Sequence, residues 1–343
     1  MRNSITRVYS PGILRELLNK SIIFHDALLQ KSNIDLNAIE EILSSTTNEE
    51  RQIIRSNYKK LFHIPIQNDI ISTLKENNLL LHDLSLNMFD TSYEYDAREL
   101  KKALSDKDGN YDDDVIIEIF VSRPKNYLDI IDLAYKNFFE ISLKEEIQNK
   151  LPGEYSKFLL SLMDTERPLE QTISKDEEFE IAKEIIKNGI NSYATDVNLF
   201  KKIFIEKSRK DLILISRAYY QLGKKCLYDD IVKEYIEPTN LSDNNDEGKK
   251  VKNKNINLMK NLLFAVITPA QFFSQKCSEI LTGLKSNINI LFRILISRAE
   301  IDIKAIGDYY FKKTNNKLKN DIKKEVNLQK NITVQNILIN ICK

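Results

Sequence analysis

The chain has 343 residues, with 51 basic against 50 acidic side chains and a formal net charge of +1. That balance excludes a global basic field for nucleic acid. With 42% hydrophobic and 29% charged residues it reads as a soluble globular protein, and it contains no apolar run of about 18 residues that would span a bilayer.

A polar head, residues 1–14, ends near Pro11–Gly12 and lacks the apolar core of a secretory signal. After it, one pattern recurs four times without a gap. Its zero falls at Asp35, Asp112, Asp196 and Asn287. Seven residues on stand Ile42, Ile119, Ile203 and Ile294. Twenty-three on stand Tyr58, Tyr135, Tyr219 and Tyr310, and thirty-five on stand Ile70, Ile147, Ile231 and Ile322. Spacing kept over such a length means one supersecondary unit repeated. The zeros are 77, 84 and 91 residues apart, room for about five short helices per unit.

The first unit is placed at 15–88, where Leu36, Ile39, Ile42 and Leu43 form an apolar helical face. The second is placed at 93–163 and closes with Tyr155, Phe158, Leu159 and Leu162 at helical spacing. The third is placed at 175–237. The run at 238–254 is polar and charged, and is expected to be a flexible linker. The fourth unit is placed at 255–343. No stretch alternates with the period of a strand, so the expected class is all-α.

The units resemble the annexin repeat. The likeness is clearest in YDARELKKAL (95–104), in 116–147 and in 290–322, with Ser122–Arg123 and Ser297–Arg298 after the second helix of units two and four. It reaches nearly the whole chain and leans toward the alpha-giardin branch. It implies four five-helix repeats packed into one curved disc, and calcium-dependent binding of acidic phospholipid. In that family the loop before the second helix reads roughly K-G-x-G-T-D. Its carbonyls supply oxygens to calcium, and an acid 40 residues after the second glycine completes the set. Calcium takes six to eight hard oxygen ligands at about 2.3–2.6 Å, so positions remain open for lipid phosphate.

The acid's slot, 38 past each zero, holds Thr73, Lys150, Glu234 and Glu325. An ammonium at Lys150 repels calcium. The resemblance therefore implies weak calcium sites in repeats three and four only. Repeat three would use Ser192, Ala194 and Glu234; repeat four would use Leu281, Gly283, Lys285 and Glu325. Tyr193 is expected at an exposed loop tip, where an amphipathic ring suits the membrane interface. At slot six, Glu118 and Arg293 carry opposite charge, and are expected to pair across a polar central channel.

Other constellations carry less. Asp106, Asp108, Asp112, Asp113 and Asp114 miss the EF-hand pattern and read as a solvated loop that caps the next helix. His25, His63 and His82 have no metal or catalytic spacing, and no nucleophile motif is present, so no enzyme is expected. Cys226, Cys277 and Cys342 read as free thiols of a reducing cytosol. Recurrent lysine pairs such as Lys59–Lys60 offer a route to anionic headgroups without calcium. The expected protein is cytoplasmic and reversibly bound at the cytoplasmic face of membranes. Its rival reading is a calcium-independent adaptor for cytoskeleton or another protein.

Overall fold

The computed structural model describes residues 9–29, 34–105, 111–236, 246–284 and 288–342. Among these the secondary structure is helical throughout, as the sequence pattern predicts. The first repeat comprises α1 (Pro11–Leu29), α2 (Leu36–Ser45), α3 (Asn48–Phe62), α4 (Ile66–Leu74) and α5 (Leu79–Phe89). The second comprises α6 (Ser92–Leu104), α7 (Asp113–Ser122), α8 (Lys125–Phe139), α9 (Leu143–Lys150) and α10 (Gly153–Asp164). The third begins with α11 (Lys175–Asn188), a short α12 (Ile190–Thr195) and α13 (Val197–Phe200), which runs into a π-helical turn, Lys201–Ile205. It continues with α14 (Arg209–Gly223), α15 (Leu227–Ile236) and α16 (Asp246–Ile267). The fourth holds α17 (Pro269–Leu281), α18 (Ile288–Arg298), α19 (Ile303–Thr314), α20 (Leu318–Lys324), α21 (Val326–Gln329) and α22 (Ile332–Ile341).

The expected linker is corrected here. Residues 246–254 open α16, the fifth helix of repeat three, so repeat four begins near Pro269 and not at 255. Polarity misled the reading, because residues 248–250 are exposed and 251–254 half-buried, while Asn255, Ile256, Leu258, Met259 and Leu262 further along are buried. Residues 238–245 lie outside the described residues.

The chain forms two compact units. One joins Met1–Ser92 with Ser274–Lys343; the other is Tyr93–Phe273. In the first, α1 packs on α3 and α2 on α22; in the second, α11 packs on α14 and α16 on α7.

The fixed spacing has a physical cause at both ends. Asp35, Asp112 and Asp196 are N-caps, each carboxylate accepting backbone N–H groups of the helix it starts. Asn287 lies outside the described residues. All the isoleucines at slots 7 and 35 are buried. Each slot-23 tyrosine donates its hydroxyl to an acid eleven residues on: Tyr58 to Asp69, Tyr135 to Glu146, Tyr219 to Asp230 and Tyr310 to Asp321. Burial and that acidic partner push every one of these phenols above its ordinary range. Between tyrosine and acid, the chain turns through a left-handed residue five past each tyrosine: His63, Glu140, Lys224 and Asn315, with φ from 54° to 62°. A left-handed residue is the usual way to end a helix, and these four positions reach it without glycine.

Candidate functional site

Slot 38 and the described residues ahead of the second helix differ in chemistry from repeat to repeat. In repeat one the loop residues Lys31–Asn33 lie outside the described residues. Thr73 has no charge to offer a cation, and its carbonyl accepts from the Asn77 side-chain amide at 2.6 Å.

In repeat two slot 38 holds the ammonium of Lys150. It donates to the Leu104 carbonyl at 2.9 Å and pairs with Glu146 at 2.8 Å. The Tyr111 hydroxyl donates back to the Lys150 carbonyl. Glu146 is 3% exposed and also receives Lys101 at 2.9 Å. Burial by itself would raise the Glu146 carboxyl. Bonds from Lys150, Tyr135 and Lys101 outweigh that and hold it below its usual 4.5. A carboxylate with a lowered folded pKa contributes stability above its unfolded pKa, and loses it as pH falls through the folded one. The melting temperature is therefore expected to drop on acidification below the usual carboxylate range. Glu146→Gln should flatten that fall in a pH series of thermal melts; an unchanged slope would show that the group contributes nothing to it.

In repeat three the structure corrects the expectation for Tyr193. The corner is not an open loop but the helix α12, entered through Gly189 at φ +72°. That helix turns Tyr193 and Ala194 inward. Tyr193 is 0% exposed, edge-on to the Phe204 ring at 6.1 Å between centroids, so it is not at a surface tip. The Ala194 carbonyl accepts from the buried Asn255 amide at 2.8 Å. The Ser192 carbonyl accepts from the Asp196 N–H at 3.0 Å, and Glu234 accepts from the Asn191 side-chain amide. Two asparagine amides thus occupy oxygens that a cation would need. The corner does not fit calcium while α12 stays wound.

Repeat four is different. There α17 ends at Leu281, and Gly283 follows at φ +78°, a conformation that only glycine adopts without strain. Leu284, next to it, is 78% exposed, which the sequence reading did not single out. Glu325 is half-buried and closes α20, its N–H donating to the Asp321 carbonyl at 3.1 Å. Lys285 lies outside the described residues. Among the described residues no group of three or more His, Cys, Asp or Glu could hold a metal, so a cation here would depend on carbonyl oxygens with Glu325.

Glu118 lies on α7 in one unit and Arg293 on α18 in the other; both are buried. No helix among the described residues is long and apolar enough to cross a membrane.

Four helical repeats, each with a tyrosine–acid clasp and a corner at slot 38, define an all-helical repeat protein. The annexin family model matches residues 95–162 and 272–327. Annexin A13 of Mus musculus is 28% identical over 273 residues, 78% of this chain and 78% of its own. Annexin A1 of Mus musculus is 28% identical over 289 residues, 84% of this chain and 77% of its own. Among solved structures, annexin III shares the fold with a TM-score of 0.81 at 23% identity, covering 95% of this chain and 93% of that one. Calcium-bound alpha-1 giardin gives 0.71 at 16% identity, covering 97% of this chain and 100% of that one. The chain is similar to the annexin family in sequence over these stretches and has the annexin fold; members of that family are generally peripheral proteins that bind phospholipid with calcium.

Proposed function

We propose that this protein binds acidic phospholipid through weak calcium corners in repeats three and four and has no enzymatic role. Repeat four is the primary corner. The observation that carries this reading is the Gly283 turn beside the exposed Leu284, with Glu325 at the slot where the family places its acid. Leu281, Gly283 and Lys285 would present carbonyl oxygens, and Glu325 the carboxylate. A calcium ion supplies positive charge whose open positions accept lipid phosphate. Leu284 takes the membrane-contact role that Tyr193 cannot fill.

Repeat three is a secondary corner. Glu234 and the carbonyls of Ser192 and Ala194 become available only after α12 unwinds and releases Asn191 and Asn255. Winding that must be undone subtracts from affinity. Lys150 and the committed oxygens of repeat three favour the second reading, a calcium-independent adaptor. The setting proposed is the cytoplasmic face of a membrane.

Co-sedimentation with phosphatidylserine vesicles tests this. Binding should rise in millimolar rather than micromolar calcium, because few charged ligands are offered. Glu325→Gln should remove most of that rise, and Glu234→Gln a smaller part. Equal binding in calcium and in chelator would leave the adaptor standing.

A further inference from the structure

The last repeat carries a groove of about 570 Å³ that no calcium corner uses. Its floor is one face of α19, where Ile303, Gly307 and Phe311 recur every four residues. Phe311 is 46% exposed, an unusual place for a large ring on a helix whose other face is buried. Gly307 sits inside the helix, where glycine costs about 1 kcal/mol relative to alanine. Nothing lies within 4 Å of the Cβ it lacks, so no neighbour requires the small residue. The missing side chain leaves a notch between Ile303 and Phe311.

The rim is basic. Lys304 and Lys312 flank the stripe on α19, and Lys317 and Lys319 face it from the start of α20. All four are exposed, and none forms an ion pair with a described residue. Lys312 rests over the Tyr309 ring at 5.2 Å, which leaves its charge unneutralised. Asp308 is the one carboxylate in the lining.

We infer that this groove docks an acidic peptide segment of a partner protein, with one apolar side chain seated over Gly307 and carboxylates on the lysine rim. The stripe from Ile303 to Phe311 is about 12 Å long at 1.5 Å per residue, the reach of two turns of a bound helix. Charge complementarity selects an acidic partner. The recess selects a peptide over a bilayer, since a flat headgroup layer meets the rim lysines but leaves the notch empty. This docking needs no calcium and does not rest on the corners.

The test uses the full chain in chelator and a fluorescein-labelled amphipathic peptide of glutamate and leucine, read by anisotropy. Saturable binding that weakens with salt is expected. Gly307→Leu, which fills the notch, and the double change Lys304→Glu/Lys317→Glu should each weaken it about tenfold or more. Gly307→Ala should keep both the helical circular dichroism and the binding. The control Lys59→Glu/Lys60→Glu, away from the groove, should bind as the parent does. No binding to the parent, equal loss in that control, or full binding by both groove variants would overturn the inference. Phosphatidylserine vesicles form a parallel arm. If the groove variants lose vesicle binding and keep peptide binding, the surface belongs to lipid and the inference fails.

Discussion

Replacing Asp96 with alanine is expected to cost about 3–5 kcal/mol of folding stability, the usual penalty for stranding one partner of a buried ion pair. Asp96 on α6 holds Arg123 at the end of α7 by two bonds, Nε to Oδ2 at 2.7 Å and a second guanidinium nitrogen to Oδ1 at 3.1 Å. The side chains are 1% and 7% exposed. Burial alone would lower the arginine pKa, and Asp96 reverses that and raises it. With the acid gone, the guanidinium keeps its charge in a dry site, with the Ser122 hydroxyl at 3.0 Å and Glu118 and Tyr127 nearby. Denaturant unfolding should show an earlier midpoint. The double change Asp96→Leu/Arg123→Met should recover most of the loss, since an apolar pair of similar bulk is often neutral. A single-variant loss under about 1 kcal/mol, the scale of an exposed pair, would refute the assignment.

Lys150→Glu should have the second largest effect, and should make repeat two answer to calcium. The change removes the bonds to Leu104 and Glu146 and sets two carboxylates on neighbouring turns of α9. Loss of those contacts is expected to cost about 2–3 kcal/mol without calcium, given that Leu104's carbonyl and the buried Glu146 each lose a donor. The side chain is 38% exposed, so solvent moderates the figure. A cation bound by the folded state alone then restores stability by mass action. Thermal melts with and without millimolar calcium should separate for Lys150→Glu and coincide for Lys150→Met. Coincident melts for both would show that Lys150 does not stand where a cation would.

The repeat itself was legible because burial and spacing repeat together. Isoleucines at slots 7 and 35 and tyrosines at slot 23 are large, apolar or amphipathic, and confined to the core. The acids at slot 34 were in plain view as Asp69, Glu146, Asp230 and Asp321, yet a carboxylate one residue before a core isoleucine reads as surface until its tyrosine is located. The left-handed turn had no sequence signal. His63, Glu140, Lys224 and Asn315 share no chemistry, and the glycine that would mark such a turn is missing.

At the corners, slot comparison set Lys150 apart from the glutamates by charge, but it could not separate an open corner from a wound one. Ser192–Thr195 is as polar as a loop, and only the packing of Tyr193 on Phe204 and of Ala194 under Asn255 makes it a helix. The start of α16 was hidden for the opposite reason. Its first turns make polar contacts, such as Lys254 with Asp113, so no apolar period announces them.

The tyrosine–acid bond closes an eleven-residue interval in every repeat, with the left-handed residue inside it. That interval works as a gauge block. A residue added within it would rotate the following helix by about 100° and swing the acid away from its hydroxyl. The zeros nevertheless drift apart from 77 to 84 to 91 residues along the chain. All of that growth falls downstream of one gauge block and upstream of the next: the connection between α10 and α11 is longer than that between α5 and α6, and α16 has 22 residues where α10 has 12. The protein thus keeps a machined tolerance over half of each repeat, and takes up its extra length in the fifth helix and the connections around it.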